Sequence, residues 1–183
     1  ILEAFVPFQA ECSLVGVRGH DGEERFWPLT RNVHDHGILA LSRPGDFDAA
    51  LQAAAEDKVR RLMRHFDYRG VLTVEFFVED GRLLANEMAP RVHNSGHWTI
   101  EGAVCSQFEN HVRAILDLPL GETRAVGHAG MVNFLGELPA LEDDRSAGVG
   151  LLRRCRRRAP APGPRYSDRS IPTRRSSSKP PTM

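Results

Sequence analysis

Apolar and polar residues alternate along the first 138 residues in a pattern that predicts both strands and helices. Alternation with a period of two predicts strands, and apolar residues three or four positions apart predict helices with one buried side. The predicted strands are Glu11–Arg18, Arg25–Leu29, Val71–Val78, Arg82–Glu87 and Met131–Leu135. A long helix is predicted from Asp46 as N-cap to Phe66, and a second from about Gly102 to Leu116. This mixture predicts an α+β fold with helices packed on an antiparallel sheet.

The second predicted helix has a clear apolar stripe. Residues at helical spacing share one side of a helix, and an apolar side normally faces the core. The residues predicted to be buried are Val104, Cys105, Phe108, Val112 and Ile115.

The character of the sequence changes beyond Asp144. Residues 151–183 hold ten Lys and Arg against one acid, Asp168, whereas residues 1–150 hold 14 basic and 23 acidic residues, so the zero net charge hides two opposite regions. Six of the twelve prolines lie in this tail, and without apolar periodicity it cannot bury enough surface to offset its ordering entropy. We expect a folded domain over residues 1–120, the start of a small second domain over 121–144, and a disordered basic tail over 145–183.

The remaining composition favours a protein of the cytoplasm. No apolar run approaches the roughly 20 residues that span a bilayer, and the first residues lack the features of a signal peptide. Cys12, Cys105 and Cys155 are widely spaced and form no CxxC pair, so neither a disulfide framework nor a zinc site is expected. The chain lacks an initiating Met, which indicates that it begins within a longer protein or after processing.

One predicted hairpin has a register that decides where two carboxylates lie. A two-residue turn at Asp80-Gly81 places Glu75 opposite Asn86 and sends Glu87 to the other face. A three-residue loop places Glu75 directly opposite Glu87, where the carboxylates lie about 5 Å apart and repel by about 3 kcal/mol at an effective dielectric of about 20. Two acids and an amide suit Mg²⁺ together with substrate phosphates. The alternative is that Glu87 is a solvated strand acid.

A loop dense in hydrogen-bonding groups follows the hairpin. It ends at Trp98, and Pro90 and Gly96 restrict its backbone. Loops of this composition usually carry binding or catalytic groups, and the alternative is a polar surface loop with Trp98 in the core. His93 and His97 are four residues apart, but no HExxH motif accompanies them, so zinc is disfavoured.

The run from Asn86 to Thr99, Asn-Glu-Met-Ala-Pro-Arg-Val-His-Asn-Ser-Gly-His-Trp-Thr, resembles the signature of the 5-(carboxyamino)imidazole ribonucleotide synthase family. These are ATP-grasp enzymes, also described as the ATPase subunit of phosphoribosylaminoimidazole carboxylase. Residues 11–22, 28–38 and 106–111 resemble other stretches of that family, so the similarity covers about residues 1–138. It implies that residues 1–120 form the ATP-grasp C-terminal subdomain, truncated at its N-terminus.

The resemblance implies a set of nucleotide-binding residues. They are Glu3, Ala4, Phe5, Val6, Glu11, His34, Asn86 and Glu87. The segment at residues 3–6 is implied to hold the adenine, and Glu11 to accept the ribose hydroxyls. Without the resemblance, Glu3 and Glu11 are ordinary strand acids and His34 is a capping or surface residue.

The resemblance also implies metal ligands and catalytic residues. Glu75 and Glu87, with Asn86, are implied to hold the Mg²⁺ that bridges the ATP phosphates. Arg91 and His93 are implied to lie where bicarbonate is phosphorylated, since an arginine stabilises an anionic intermediate and a neutral histidine can manage the proton on an attacking amine.

The implied activity is ATP- and bicarbonate-dependent carboxylation of 5-aminoimidazole ribonucleotide in purine biosynthesis, through carboxyphosphate. The expected partners are those three small molecules and, for the intact enzyme, a second copy in a homodimer. A membrane partner is not expected. Nucleic acid is not expected either, because Tyr166 is the one aromatic residue of the basic tail. The alternatives are another ATP-grasp carboxylase or transformylase, or a non-catalytic nucleotide-binding remnant.

The sequence departs from the family at both ends. Nothing before Ile1 supplies the family's first ATP-grasp subdomain, with its lysines and Gly-rich loop, so the chain is expected to be inactive alone. Beyond Asp144 the Arg/Pro/Ser tail replaces the family's ribonucleotide-binding stretch. We hypothesise that the tail arises from a shifted reading frame, because the pattern is lost abruptly; an intact frame on resequencing would refute this. A basic arm for an acidic partner is the alternative.

Overall fold

The computed structural model describes residues 5–134. Its strands are β1 (Ala10–Arg18), β2 (Glu24–Phe26), β3 (Thr30–Asp35), β4 (Ile38–Pro44), β5 (Gly70–Glu79), β6 (Arg82–Ala89) and β7 (Met131–Val132). Its helices are α1 (Ala49–His65), α2 (Thr99–Gly102) and α3 (Gln107–Ile115), with a 3-10 turn at Asn94–Gly96. The strands form one antiparallel sheet in the order β6-β5-β1-β3-β4-β7, with β2 paired to β1. The predicted α+β fold is confirmed, whereas the predictions for Glu3, Ala4 and residues 135–183 lie outside the described residues.

The sheet separates two apolar cores. On one face, side chains such as Leu14 pack against Met63 of α1. On the other face, Val15 packs in a cluster that includes Trp98 and Ala114 of α3. Each fully buried apolar side chain of this size contributes about 1.5–3 kcal/mol. Because Trp98 belongs to the second core, that core also anchors the loop that follows β6.

The first half of the sheet contains two strands that the apolar pattern did not predict, β3 and β4. They are joined by a tight turn in which His36 and Gly37 have φ of 49° and 78°, the left-handed values that two-residue hairpins require. The predicted strand at Arg25–Leu29 is shorter in the structure, since β2 ends at Phe26. Pro28 has no N–H with which to continue a ladder.

The long helix α1 begins two residues later than predicted. Its N-cap is Asp48, whose carboxylate accepts a hydrogen bond from the Leu51 N–H (2.8 Å). The predicted cap, Asp46, instead accepts a hydrogen bond from Arg43 (2.6 Å). Both acids can cap a helix, so composition alone does not choose between them. No helix within residues 5–134 has the length and apolar character needed to cross a membrane.

The β5–β6 hairpin combines a two-residue turn with a β-bulge. Asp80 and Gly81 form the turn, with φ of 47° and 73°, so the hairpin has the two-residue turn of the two alternatives. The register then shifts beside Glu75, where one extra residue of β6, Asn86, leaves the ladder. Glu75 therefore lies directly opposite Glu87. A three-residue loop would give the same pairing, but here the bulge in β6 produces it.

The second predicted helix is shorter than predicted, since α3 begins at Gln107, and its predicted buried side is wrong. Ser106 caps α3 by accepting a hydrogen bond from the Glu109 N–H (3.1 Å). Four residues of the predicted stripe are 36–61% exposed: Val104, Phe108, Val112 and Ile115. Of the five, Cys105 is buried. The side that faces the sheet instead carries Gln107 and Asn110, because both amides bind backbone groups of neighbouring loops.

Candidate functional site

The sheet face that packs on α3 becomes polar toward one end of the strands. Residues directly opposite each other on neighbouring strands point to the same face. Ser13 lies opposite Glu75, Glu11 lies opposite Asn32, and Glu75 lies opposite Glu87. These pairs place five polar side chains from β3, β1, β5 and β6 next to one another, beyond the apolar core.

Glu75 and Glu87 form a carboxylate pair on this face. Glu75 is half-buried, whereas Glu87 and Asn86 are exposed. Burial raises the pKa of Glu75 above its ordinary value; His34 lowers this pKa, and the negative charges of Glu87 and Glu11 raise it further. A cation between the two carboxylates would remove their repulsion and favour the ionised form of Glu75.

The donor atoms of this pair suit a hard divalent cation. Among residues 5–134, His, Cys, Asp and Glu side chains nowhere gather in threes to hold a metal ion. Two carboxylates and the Asn86 amide at the bulge are therefore an incomplete set of oxygen ligands. Mg²⁺ is commonly held in this way, by one or two carboxylates, with water and substrate phosphates completing its six positions. The residues present fit Mg²⁺.

Glu11 and His34 form a second polar pair on the same face. The Nδ1 atom of His34 lies 2.8 Å from a carboxylate oxygen of Glu11. Both residues are half-buried, so each keeps a polar edge that a bound molecule can reach. A carboxylate in this position can accept hydrogen bonds from a pair of hydroxyls.

The loop after β6 brings His93 against Glu75. The Nε2 atom of His93 lies 3.6 Å from a carboxylate oxygen of Glu75. Burial is the main cause that lowers the pKa of His93, which favours the neutral form of its ring. The buried Ser95 hydroxyl lies 2.9 Å from Nδ1 of the same ring. His93 is thus held between the 3-10 turn and the sheet.

The other predicted site residues lie at the margins. Arg91 is exposed, and its guanidinium donates to the carbonyl of Val92 (3.0 Å). Phe5 is 90% exposed, and the Val6 carbonyl accepts from a backbone N–H two residues later. The segment then joins the sheet, where Phe8 stacks on a ring of β5 with 4.5 Å between centroids.

Sequence reasoning missed three polar residues of this face, Ser13, Ser95 and Gln107. All three have zero exposure, and all three act on the loop that carries His93. Ser13 had a signal that could have found it, because alternation along β1 puts it on the same face as Glu11. The burial of Gln107 had none, since a polar residue near the start of a helix normally faces water.

Two clefts lie elsewhere on the molecule. One is bordered by β2, α1 and residues 122–124, and the other runs along the C-terminal half of α1. Neither is lined by the carboxylate pair or by His93.

Similarity to known proteins agrees with this geometry. The N5-carboxyaminoimidazole ribonucleotide synthase of Pseudomonas aeruginosa is 62% identical over 139 residues, which are 76% of this chain and 38% of that protein. The synthase of Escherichia coli is 48% identical over 137 residues, 74% of this chain and 39% of that protein. The chain thus spans about two-fifths of the length of these curated relatives.

Solved structures show the same likeness. The N5-carboxyaminoimidazole ribonucleotide synthetase of Thermus thermophilus superposes with a TM-score of 0.73 at 56% identity, over 75% of this chain and 39% of that one. The synthase of Aspergillus clavatus, in complex with ADP and 5-aminoimidazole ribonucleotide, gives 0.67 at 35% identity, over 73% and 37%. The resemblance found in the sequence is confirmed. The ATP-grasp domain model matches residues 1–108, more than half of the chain, and the chain belongs to the ATP-grasp family.

Proposed function

We propose that this chain forms the metal-binding part of the nucleotide site in an N5-carboxyaminoimidazole ribonucleotide synthase of purine biosynthesis. The observation that carries the proposal is the register that sets Glu75 directly opposite Glu87 beside the Glu11–His34 pair. The 62% identity to the Pseudomonas aeruginosa enzyme supports it. So does the Aspergillus clavatus relative, which was crystallised with ADP and 5-aminoimidazole ribonucleotide.

The nucleotide lies across the polar face in this proposal. The segment at residues 3–6, which includes Phe5 and Val6, holds the adenine. Glu11 accepts the ribose hydroxyls, and its contact with His34 (2.8 Å) orients the carboxylate. Asn86 and Glu87 contact the phosphates, since both are exposed and lie side by side at the bulge of β6.

Glu75 and Glu87, with the Asn86 amide beside them, would hold Mg²⁺ at this site. When bound, the ion neutralises charge on the transferred phosphoryl group. Glu75 is half-buried, so its position is set by the sheet, whereas the exposed Glu87 can adjust to the ligand. The Nε2 atom of His93 lies 3.6 Å from the Glu75 carboxylate of this pair.

The reaction transfers the γ-phosphoryl group of ATP to bicarbonate, breaking the bond to ADP and forming carboxyphosphate. The amine of 5-aminoimidazole ribonucleotide then attacks the carbonyl carbon, a new N–C bond forms, phosphate leaves, and the nitrogen loses a proton. Arg91 is exposed on the loop next to His93, where its charge stabilises the anionic intermediate. Such a donor acts through charge that develops during the reaction.

Turnover by a reconstituted enzyme tests the proposal. The chain would be joined to the part of the Pseudomonas aeruginosa synthase that it does not match, and ADP formation would be followed. We expect ADP only when both bicarbonate and 5-aminoimidazole ribonucleotide are present. Glu87→Gln should lower kcat by at least about tenfold, whereas Glu101→Gln, at an exposed acid of α2, should not. ADP formation with formate instead of bicarbonate would indicate a transformylase, and no turnover would indicate a non-catalytic remnant.

Domain limits, assembly and location remain part of the proposal. We place the ATP-grasp subdomain at residues 1–120 and the start of a small domain at 121–144, in an enzyme that acts in the cytoplasm as a homodimer. The exposed apolar residues of α3 are a surface that further protein can cover. A monomeric mass for the reconstituted enzyme in analytical ultracentrifugation would contradict the homodimer.

A further inference from the structure

The His93 backbone is fixed by one amide side chain. The His93 N–H donates to Oε1 of Gln107 (3.0 Å), and Nε2 of Gln107 donates to the His93 carbonyl (2.6 Å). Gln107 has zero exposure. A Cβ added at Gly96 would lie 2.5 Å from Oε1 of this amide, so the 3-10 turn packs too closely on Gln107 to leave room for a side chain at this position. The His93 ring is therefore attached to a stretch of backbone that has little freedom to move.

The ring is fixed by two hydroxyls. Ser13 donates to the Ser95 hydroxyl oxygen (2.7 Å), and the Ser95 hydroxyl lies 2.9 Å from Nδ1 of His93. Ser13 and Ser95 have zero exposure. Ser13 is also directly opposite Glu75 across the β1–β5 ladder. One row of contacts therefore runs from the strand, through the 3-10 turn, into the histidine that faces the carboxylate.

The backbone decides which nitrogen carries the proton. The Ser95 N–H points at Nδ1 of His93 (3.3 Å), and a backbone N–H can only donate. Nδ1 must therefore present its lone pair, so the Ser95 hydroxyl also donates to it. In a neutral imidazole the proton then lies on Nε2. Nε2 is the atom that lies 3.6 Å from Glu75.

We propose that Ser13 and Ser95 are positioning residues that hold His93 in the Nε2–H tautomer, with that N–H directed at Glu75. At 3.6 Å this N–H lies just beyond hydrogen-bond distance of the carboxylate, so His93 orients Glu75 through the positive end of its N–H dipole. It does not serve as the base that removes the amine proton, because its lone pair is occupied within the turn. The proposal rests on the proposed function only in treating Glu75 as a metal ligand.

The proton position is measurable without turnover. The 183-residue chain would be prepared with ¹⁵N-labelled histidine, and two-bond ¹H–¹⁵N correlations recorded at a pH where the ring is neutral, without nucleotide or metal. A His93→Gln variant assigns the resonances of His93 among the eight histidines. We expect Nδ1 to show the shift of an unprotonated nitrogen and Nε2 that of a protonated one. The opposite pattern, or an even mixture, would overturn the proposal.

Variants then test which groups set the tautomer. Ser95→Ala should lower the ratio of Nε2–H to Nδ1–H by about two- to tenfold, as expected for one hydrogen bond. Ser13→Ala should lower this ratio less, and Ser13→Thr, which keeps the hydroxyl, should leave the ratio as it is in the wild type. Ser42→Ala is the matched control, since Ser42 is also fully buried but donates to Asn32 (3.0 Å), and it should leave the ratio unchanged. An unchanged ratio in a folded Ser95→Ala chain would overturn the assignment, whatever the reconstituted enzyme does.

Discussion

The carboxylate pair predicts that one substitution stabilises the metal-free chain and weakens its response to metal. In Glu87→Gln the side chain keeps its size and loses its charge, so the register opposite Glu75 should persist. Without a cation, the change removes a repulsion. With Mg²⁺ and ADP, it removes a ligand. The effect on the free energy of unfolding should therefore change sign between the two conditions.

The magnitude follows from the separation of the two charges. Directly opposed side chains lie about 5 Å apart, which gives a repulsion of about 3 kcal/mol at a dielectric of about 20 and about 1 kcal/mol in water. Glu87 is exposed and Glu75 is half-buried, so the lower value applies. Glu87→Gln should raise the free energy of unfolding by about 1 kcal/mol. Most of that gain should vanish in 1 M salt, where the Debye length is about 3 Å.

Urea unfolding, followed by circular dichroism at neutral pH, measures both effects. Glu101→Gln serves as the control because it removes a charge from an exposed residue of α2. Added Mg-ADP should stabilise the wild-type chain more than the variant, since a ligand stabilises only the state that binds it. If Glu87→Gln lowered the stability of the metal-free chain, or if Mg-ADP stabilised both chains equally, the reasoning from the carboxylate pair would be refuted.

Four further predictions concern packing and pH. Gly96→Ala should lower the free energy of unfolding, measured in urea, by about 1–3 kcal/mol, since the added Cβ would lie 2.5 Å from Gln107. An unchanged unfolding midpoint would show that Gly96 and Gln107 are loosely packed. Asn110→Ala should cost about 1–3 kcal/mol, because it removes hydrogen bonds of 2.7 and 3.0 Å to backbone groups of residue 121. Val112→Ser, at a side chain 52% exposed, should change stability by less than about 0.5 kcal/mol, and the reverse order would contradict the orientation of α3. The pKa of Glu75 is raised, so the folded chain binds the proton of this carboxyl more tightly than the unfolded chain does, and its contribution to stability should fall as pH rises above the ordinary pKa of 4.5. The free energy of unfolding, measured in urea as pH rises from that value, should therefore fall less steeply in Glu75→Gln than in the wild type. An equal fall in both chains would assign the pH dependence to other groups.

The parts of the fold that were predictable are those where one face of an element is apolar. In β1 and β5, every second residue lies in the same core, so the period of two was visible. In β3 the residues facing the site are Thr30 and Asn32, which are buried although polar. Alternation of apolar and polar residues therefore does not show which side of β3 is buried. The α3 stripe misled for the same reason, since hydrogen-bonded amides occupy the side that packs on the sheet.

The pairing of Glu75 with Glu87 was predictable as one of two registers, but its cause was not. The turn at Asp80-Gly81 is the type that its sequence favours, and by itself it would pair Glu75 with Asn86. The bulge reverses that outcome, and no residue of the hairpin marks it, because an extra residue in a strand has no fixed composition. The resemblance to known synthases supplied what the local pattern could not.

Calorimetric titration of Mg-ADP into the 183-residue chain is the sharpest test of the carboxylate pair. We expect magnesium-dependent binding that is lost in a Glu75→Gln, Glu87→Gln double variant and retained in Glu101→Gln. Equal affinity in the wild type and the double variant, or binding that does not depend on magnesium, would contradict the assignment of the carboxylate pair. A well-folded wild-type chain that bound no Mg-ADP would contradict the claim that this face of the sheet is a preformed half of the nucleotide site.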